Sequence, residues 1–127
     1  MADKTNTKVL LVDDEPNILV ALEFLVKKEG YQVFKAQNGE QALAAMAAEQ
    51  PHIVLLDVMM PGMDGFELAR KIRANDKYDH TRIIFLTAKG TQEDRFQGYA
   101  TGGEVYITKP FDNDELINTI NEVIEFG

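Results

Sequence analysis

Five polar side chains fall at the ends of apolar runs. Asp13 and Asp14 close the run Lys8 to Val12, Asp57 closes Ile53 to Leu56, Thr87 closes Ile83 to Leu86, and Lys109 follows Val105 to Thr108. Carboxylates gathered on one small surface repel one another, and two remedies exist: proton uptake with raised pKa values, or a hard divalent cation. At neutral pH the cation is the better remedy. Mg²⁺ prefers octahedral oxygen ligands, keeps several waters, and takes one or two carboxylates together with a phosphate oxygen, so such a cluster is a phosphoryl site as much as a metal site. A carboxylate nucleophile attacking phosphorus needs alignment and stabilised charge on the equatorial oxygens rather than covalent help. The cation, the Lys109 ammonium and the Thr87 hydroxyl could each take one of those oxygens.

Asp14 and Asp57 lie more than 40 positions apart, so this chemistry depends on elements that bring them together. Short apolar runs rich in β-branched residues alternate along the chain with longer stretches at helical spacing. The strand candidates are Lys8 to Val12, Gln32 to Ala36, Ile53 to Leu56, Arg82 to Leu86 and Val105 to Ile107, mostly continuous apolar runs of the kind covered on both faces of a sheet. A first helix starts at Glu15-Pro16, carries Ile18, Leu19, Leu22, Leu25 and Val26 on one face, and stops at Gly30. A second follows Asn38 as N-cap. The others follow Asp64, Thr91 and Asp112, each a capping residue with an acid three positions on. Five βα units of this length predict a flavodoxin-like, doubly wound α/β fold with a parallel sheet in the order 2-1-3-4-5 and ligands at the carboxyl ends of the central strands. The first and third strands are neighbours in that order, which places Asp13, Asp14 and Asp57 together.

At 127 residues the chain is expected to be one domain over 1–127, with the polar segment 1–7 a flexible tail. The 13 basic and 21 acidic side chains leave a formal charge of −8, which argues against nucleic acid or an anionic membrane as a direct partner. Cysteine is absent, so disulfides, thiol catalysis and thiolate metal sites are excluded. No apolar run is long enough to span a bilayer and no signal-peptide core is present, so the cytoplasm is the expected compartment.

The segments V-D-D-E at 12–15, L-D-V-M-M-P-G-M-D-G at 56–65, L-T-A at 86–88 and Y-I-T-K-P-F at 106–111 together resemble the bacterial receiver family of two-component response regulators. The likeness covers nearly the whole chain, in the right order and at the right strand ends. It implies that Asp57 is the phosphoacceptor, that Asp14 binds the metal directly and Asp13 mainly through water, and that the Met59 backbone carbonyl completes the protein ligands of a Mg²⁺ site, with Mn²⁺ an expected substitute. Thr87, Ala88 and Lys109 would bind the phosphoryl group, with Thr87 and Tyr106 moving as a switch. A cis Lys109-Pro110 peptide is also implied, and proline is the residue that makes such a bond accessible. The expected partners are a sensor histidine kinase or phosphotransfer protein and a downstream effector, the latter at the face formed by the fourth helix, fifth strand and fifth helix. Such a domain is a signalling phosphoacceptor rather than an enzyme. Relatives commonly carry G-A-D-D before the switch aromatic, whereas Gly102-Gly103-Glu104-Val105 stands here, and the added backbone freedom predicts a softer switch.

Plainer roles compete for several of these residues. Asp13 or Asp14 would serve as an N-cap for the helix at Pro16, and Asp64 fits a capping role better than a ligand role. Met59, Met60 and Met63 read as loop packing, and His52 and His80 lack metal-ligand partners at useful spacing. A phosphatase of the haloacid dehalogenase type also uses an aspartyl phosphate, but it needs a second Asp two places after its nucleophile, where Met59 stands. A flavin-phosphate binder is disfavoured by the anions after the first strand, and no P-loop motif is present. A receiver-like module that is never phosphorylated remains as an alternative.

Overall fold

A computed structural model describes residues 4–126. The elements alternate throughout: β1 (Lys8–Val12), α1 (Pro16–Lys28), β2 (Gln32–Ala36), α2 (Gly39–Glu49), β3 (Ile53–Leu56), α3 (Gly65–Arg73), β4 (Arg82–Thr87), α4 (Gln92–Ala100), β5 (Val105–Thr108) and α5 (Asn113–Phe126). The five strands form one parallel sheet in the order β2-β1-β3-β4-β5. This is the flavodoxin-like arrangement expected from the alternation, and its outcome at the sheet centre is the pairing of Val12 with Leu56.

Side-chain alternation along the strands divides the core into two layers. Val9 and Leu11 of β1 join Leu19, Leu22 and Val26 of α1 and Leu116 and Ile120 of α5 on one face. Leu10 and Val12 join Met46 of α2 and Phe66, Leu68 and Ile72 of α3 on the other. Both faces of β1, β3 and β4 are therefore covered, which explains why these strands are continuously apolar rather than alternating.

Local signals set the helix ends. Pro16 opens α1, where its missing N–H is no loss, and Gly30 lies just beyond the C-cap at φ +108°, in the left-handed region that glycine enters cheaply. Asn38 and Asp64 cap α2 and α3 by accepting the Gln41 and Glu67 N–H groups. Thr91 and Asp94 form a reciprocal capping box at α4.

Two expectations need correction. Residues 4–7 are not an open tail: Lys4–Asn6 form a 3₁₀ turn, Lys4 pairs with Glu29 at 2.8 Å, and the buried Thr7 accepts the Gln32 N–H at 3.0 Å. Positions 1–3 lie outside the described residues. The segment before β5 is also held more firmly than its glycines suggest. Gly102 takes a positive φ, but Arg73 donates to its carbonyl at 3.1 Å and forks onto both oxygens of Glu104 at 2.9 and 3.1 Å. The Glu104 carboxylate in turn accepts the Ile83 N–H at 2.6 Å. Charge-assisted bonds thus tie the loop to α3 and β4.

Candidate phosphoryl and metal site

The site is built by extension of the central strand pairs. Asp57 donates its N–H to Val12 at 3.0 Å and Asp13 donates to Ala36 at 3.2 Å, so the ladder carries both residues one step beyond the strands. Gly65 lets α3 pack close beneath: a Cβ there would lie 2.3 Å from the Asp57 carbonyl oxygen, and the Gly65 N–H reaches Val58 at 2.9 Å. The sheet thereby brings together Asp13, Asp14 and Asp57, each offering a carboxylate oxygen within 4.8 Å of the others. Asp13 and Asp57 are buried and Asp14 half-buried.

Asp13 has two structural partners. One oxygen accepts the Glu15 N–H at 3.0 Å, which stiffens the turn into α1, and the other accepts from the Lys109 ammonium at 3.0 Å. Glu15 itself occupies the N-cap position without a side-chain cap. Asp13 therefore does not cap α1: its bond goes to the N–H of the N-cap residue itself, a local turn ahead of the helix that coexists with its place in the cluster.

Burial pushes the Asp57 carboxyl above its ordinary range, and the Asp13 charge adds to that rise. Lys109, the neighbouring Thr87 hydroxyl and the Met59 N–H, which donates to Asp57 at 3.2 Å, oppose it without cancelling it. Three carboxylates, one of them the buried Asp57, offer hard oxygen donors that suit a divalent cation with oxygen preference, and Mg²⁺ fits this donor set.

Thr87 is fully buried at the end of β4, and its hydroxyl accepts the Lys89 N–H at 3.3 Å. Ala88 follows it and is exposed. Lys109 is positioned through its own N–H, which bonds the Thr87 carbonyl at 2.8 Å, and the Lys109-Pro110 peptide is cis, as expected. Met59 is exposed, whereas Met60 is buried and Met63 packs against the core. His52 accepts the Lys8 N–H at 3.0 Å through Nδ1, a role at the opposite end of the strands from the acids.

Tyr106 lies inside. Its ring packs against Phe85 with centroids 5.6 Å apart, and its hydroxyl donates to the Lys89 carbonyl in the loop after Thr87. Burial, reinforced by Asp94 and Asp57 against Arg95, pushes its phenol up to about 12. The sequence reading singled out Tyr106 but not Arg95, whose guanidinium lies over the ring at 5.4 Å. An arginine on a helix of ordinary polarity carries no local sign of such a role.

The model for the response regulator receiver domain matches residues 9–121, and the chain belongs to that family. The chemotaxis protein CheY4 of Vibrio cholerae is 33% identical, with a TM-score of 0.87 over 92% of this chain and 98% of its own. The receiver domain of the Francisella response regulator 1452 is 30% identical, with a TM-score of 0.87 over 94% and 97%. A CheY-like receiver domain protein of Methanospirillum hungatei is 29% identical, with a TM-score of 0.86 over 94% of both chains. The protein is a two-component receiver domain by fold, by family and by the presence of the acidic cluster. Among the described residues, no helix is long and apolar enough to cross a membrane.

Proposed function

We propose that this receiver takes a phosphoryl group onto Asp57 from a phosphohistidine of a sensor kinase or phosphotransfer protein, and that the modification alters the face made by α4, β5 and α5. The observation that carries this reading is the buried Asp57 carboxylate clustered with Asp13 and Asp14, with Lys109 3.0 Å from Asp13. Asp13, Asp14, Asp57 and the Met59 carbonyl would hold Mg²⁺. When bound, the ion supplies positive charge that offsets the carboxylates and the phosphoryl oxygens.

An Asp57 carboxylate oxygen forms the new P–O bond as the donor P–N bond breaks. The bonding pair leaves with the imidazole nitrogen, which takes a proton from water. Lys109 and Thr87 stabilise charge on the transferring group, as does the backbone at Ala88, while alignment supplies most of the rate. No carboxylic acid follows two places after Asp57, where Met59 stands, so the site lacks a general acid for turning over phosphate esters. On this reading the domain is a phosphoacceptor rather than an enzyme acting on an external substrate, and it works in the cytoplasm beside its donors.

Thr87 and Tyr106 connect the site to the output face through Lys89: the Thr87 hydroxyl accepts its N–H and the Tyr106 hydroxyl donates to its carbonyl. A groove of about 390 Å³ on that face is lined by Arg95, Tyr106, Thr108, Pro110, Glu115 and Thr119 among others, and offers an effector a place to read the change. The test is incubation with a small acyl phosphate, with and without Mg²⁺, followed by intact mass measurement. One phosphoryl adduct is expected, dependent on Mg²⁺ and absent in Asp57→Asn. A folded protein that gains no adduct with Mg²⁺ present overturns the reading and leaves an interaction module.

A further inference from the structure

Gly98 sits inside α4, where glycine forfeits stability relative to alanine. Its backbone gives no reason for the choice, because the positive-φ glycines are Gly30, Gly62 and Gly102. Space gives one. A Cβ on Gly98 would lie 2.6 and 2.9 Å from Cδ2 and Cε2 of Tyr106 and 3.2 Å from Cδ2 of Phe85. Contacts below 3.0 Å are essentially never observed for a real Cβ, and the ring cannot retreat freely because Phe85 backs it.

One turn earlier on the same helix, Arg95 closes over the ring. Its guanidinium lies 5.4 Å from the ring centroid, one Nη donates to the Tyr106 carbonyl at 3.2 Å, and the other donates to the Thr108 hydroxyl. The arginine thus satisfies a carbonyl on the free edge of β5 while covering the aromatic face. α4 contributes little else to the core: Gly98 is its buried residue, while Phe96 and Tyr99 are exposed. The main packing between α4 and the sheet is therefore the Tyr106 ring in a seat that α4 supplies.

We propose that Gly98 and Arg95, neither of which reaches the phosphoryl site, are positioning residues for Tyr106, Gly98 setting the room for the inward ring and Arg95 holding it there. A side chain at position 98 excludes the inward ring by size, and loss of the guanidinium removes both the cover and the two bonds that join α4 to β5. The inference rests on the reading of Tyr106 as a switch, and it adds that helix α4 decides how far the switch stands inward.

The test uses the whole chain labelled with fluorotyrosine, with the Tyr106 fluorine NMR signal assigned by Tyr106→Phe. Gly98→Ala and Arg95→Ala are each expected to move that signal toward the position of free fluorotyrosine, while acyl phosphate still gives the Gly98→Ala protein its phosphoryl adduct. The urea midpoint is the second readout. Gly98→Ala should lower it in the parent and raise it in a Y106A background, where alanine's helix preference acts unopposed. An unmoved signal in both variants, or the same midpoint change with and without the ring, overturns the proposal. Phosphorylation of the parent separates the two readings. If phosphorylation leaves the signal fixed while the variants move it, the switch falls and the seat stands; the reverse pattern removes the seat and keeps the switch.

Discussion

A carboxylate that is nearly enclosed and shares its surroundings with two others destabilises the fold unless positive charge balances it. Lys109 supplies part of that balance, but it is bonded to Asp13, and Asp57 keeps a pKa above the ordinary 3.8. For an acid whose folded pKa is raised, the associated stability is fully present below the unfolded value and is lost as pH rises through the folded one. Asp57 is therefore a burden at neutral pH in the absence of metal. Asp57→Asn should melt above the parent at pH 7 in chelator, by roughly 3–6 °C for each kcal/mol relieved, with the gap closing as the pH falls toward the ordinary carboxylate range. Thermal melts of the two proteins across that pH range check this, and a variant melting at or below the parent at neutral pH contradicts it. The same residue was legible in the sequence as an acid after an apolar run. The division of Asp13 between the Glu15 N–H and Lys109 was not, because its two partners stand 2 and 96 positions away and only the folded strand ends bring the second within reach.

At the scale of elements, the caps were readable because each joins residues two or three positions apart. Asn38, Asp64 and Thr91 cap as their spacing suggested, whereas Asp112 accepts the Asp114 N–H, two places on. The C-cap of α2 gave no glycine signal, since Gln50 takes the left-handed conformation at φ 47°. The clamp at the entry to β5 was hidden for another reason. Arg73 and Glu104 are 31 positions apart, and their pairing follows from α3 and β5 packing on the same part of β4. Glu104→Ala would leave the Ile83 N–H and the Arg73 fork without their carboxylate. Hydrogen bonds to charged groups contribute about 1.5–3 kcal/mol, and a loss of that order is expected in urea unfolding. A loss below about 0.5 kcal/mol would show that the loop stands without the clamp.

The whole molecule is an apolar sheet between two helical layers, with its unfavourable electrostatics concentrated at one end of the central strands. A ligand that binds only the folded arrangement stabilises all of it by mass action. Free Mg²⁺ at 100 times its dissociation constant should add about 2.7 kcal/mol, seen as a concentration-dependent rise in Tm that Asp14→Ala largely abolishes. Equal rises in both proteins would assign the effect to general screening of the −8 charge rather than to the cluster. The order of elements, the continuous apolar strands, most helix ends and the acids at the strand termini were determined by the sequence alone, because each is a pattern among near neighbours. Tertiary structure decided which side chains meet: Lys109 with Asp13, Arg73 with Glu104, and the Tyr106 ring with the vacant side of Gly98. Those meetings depend on register between strands and on the rotamers that close packing leaves available, and neither is written in the spacing of residues along the chain.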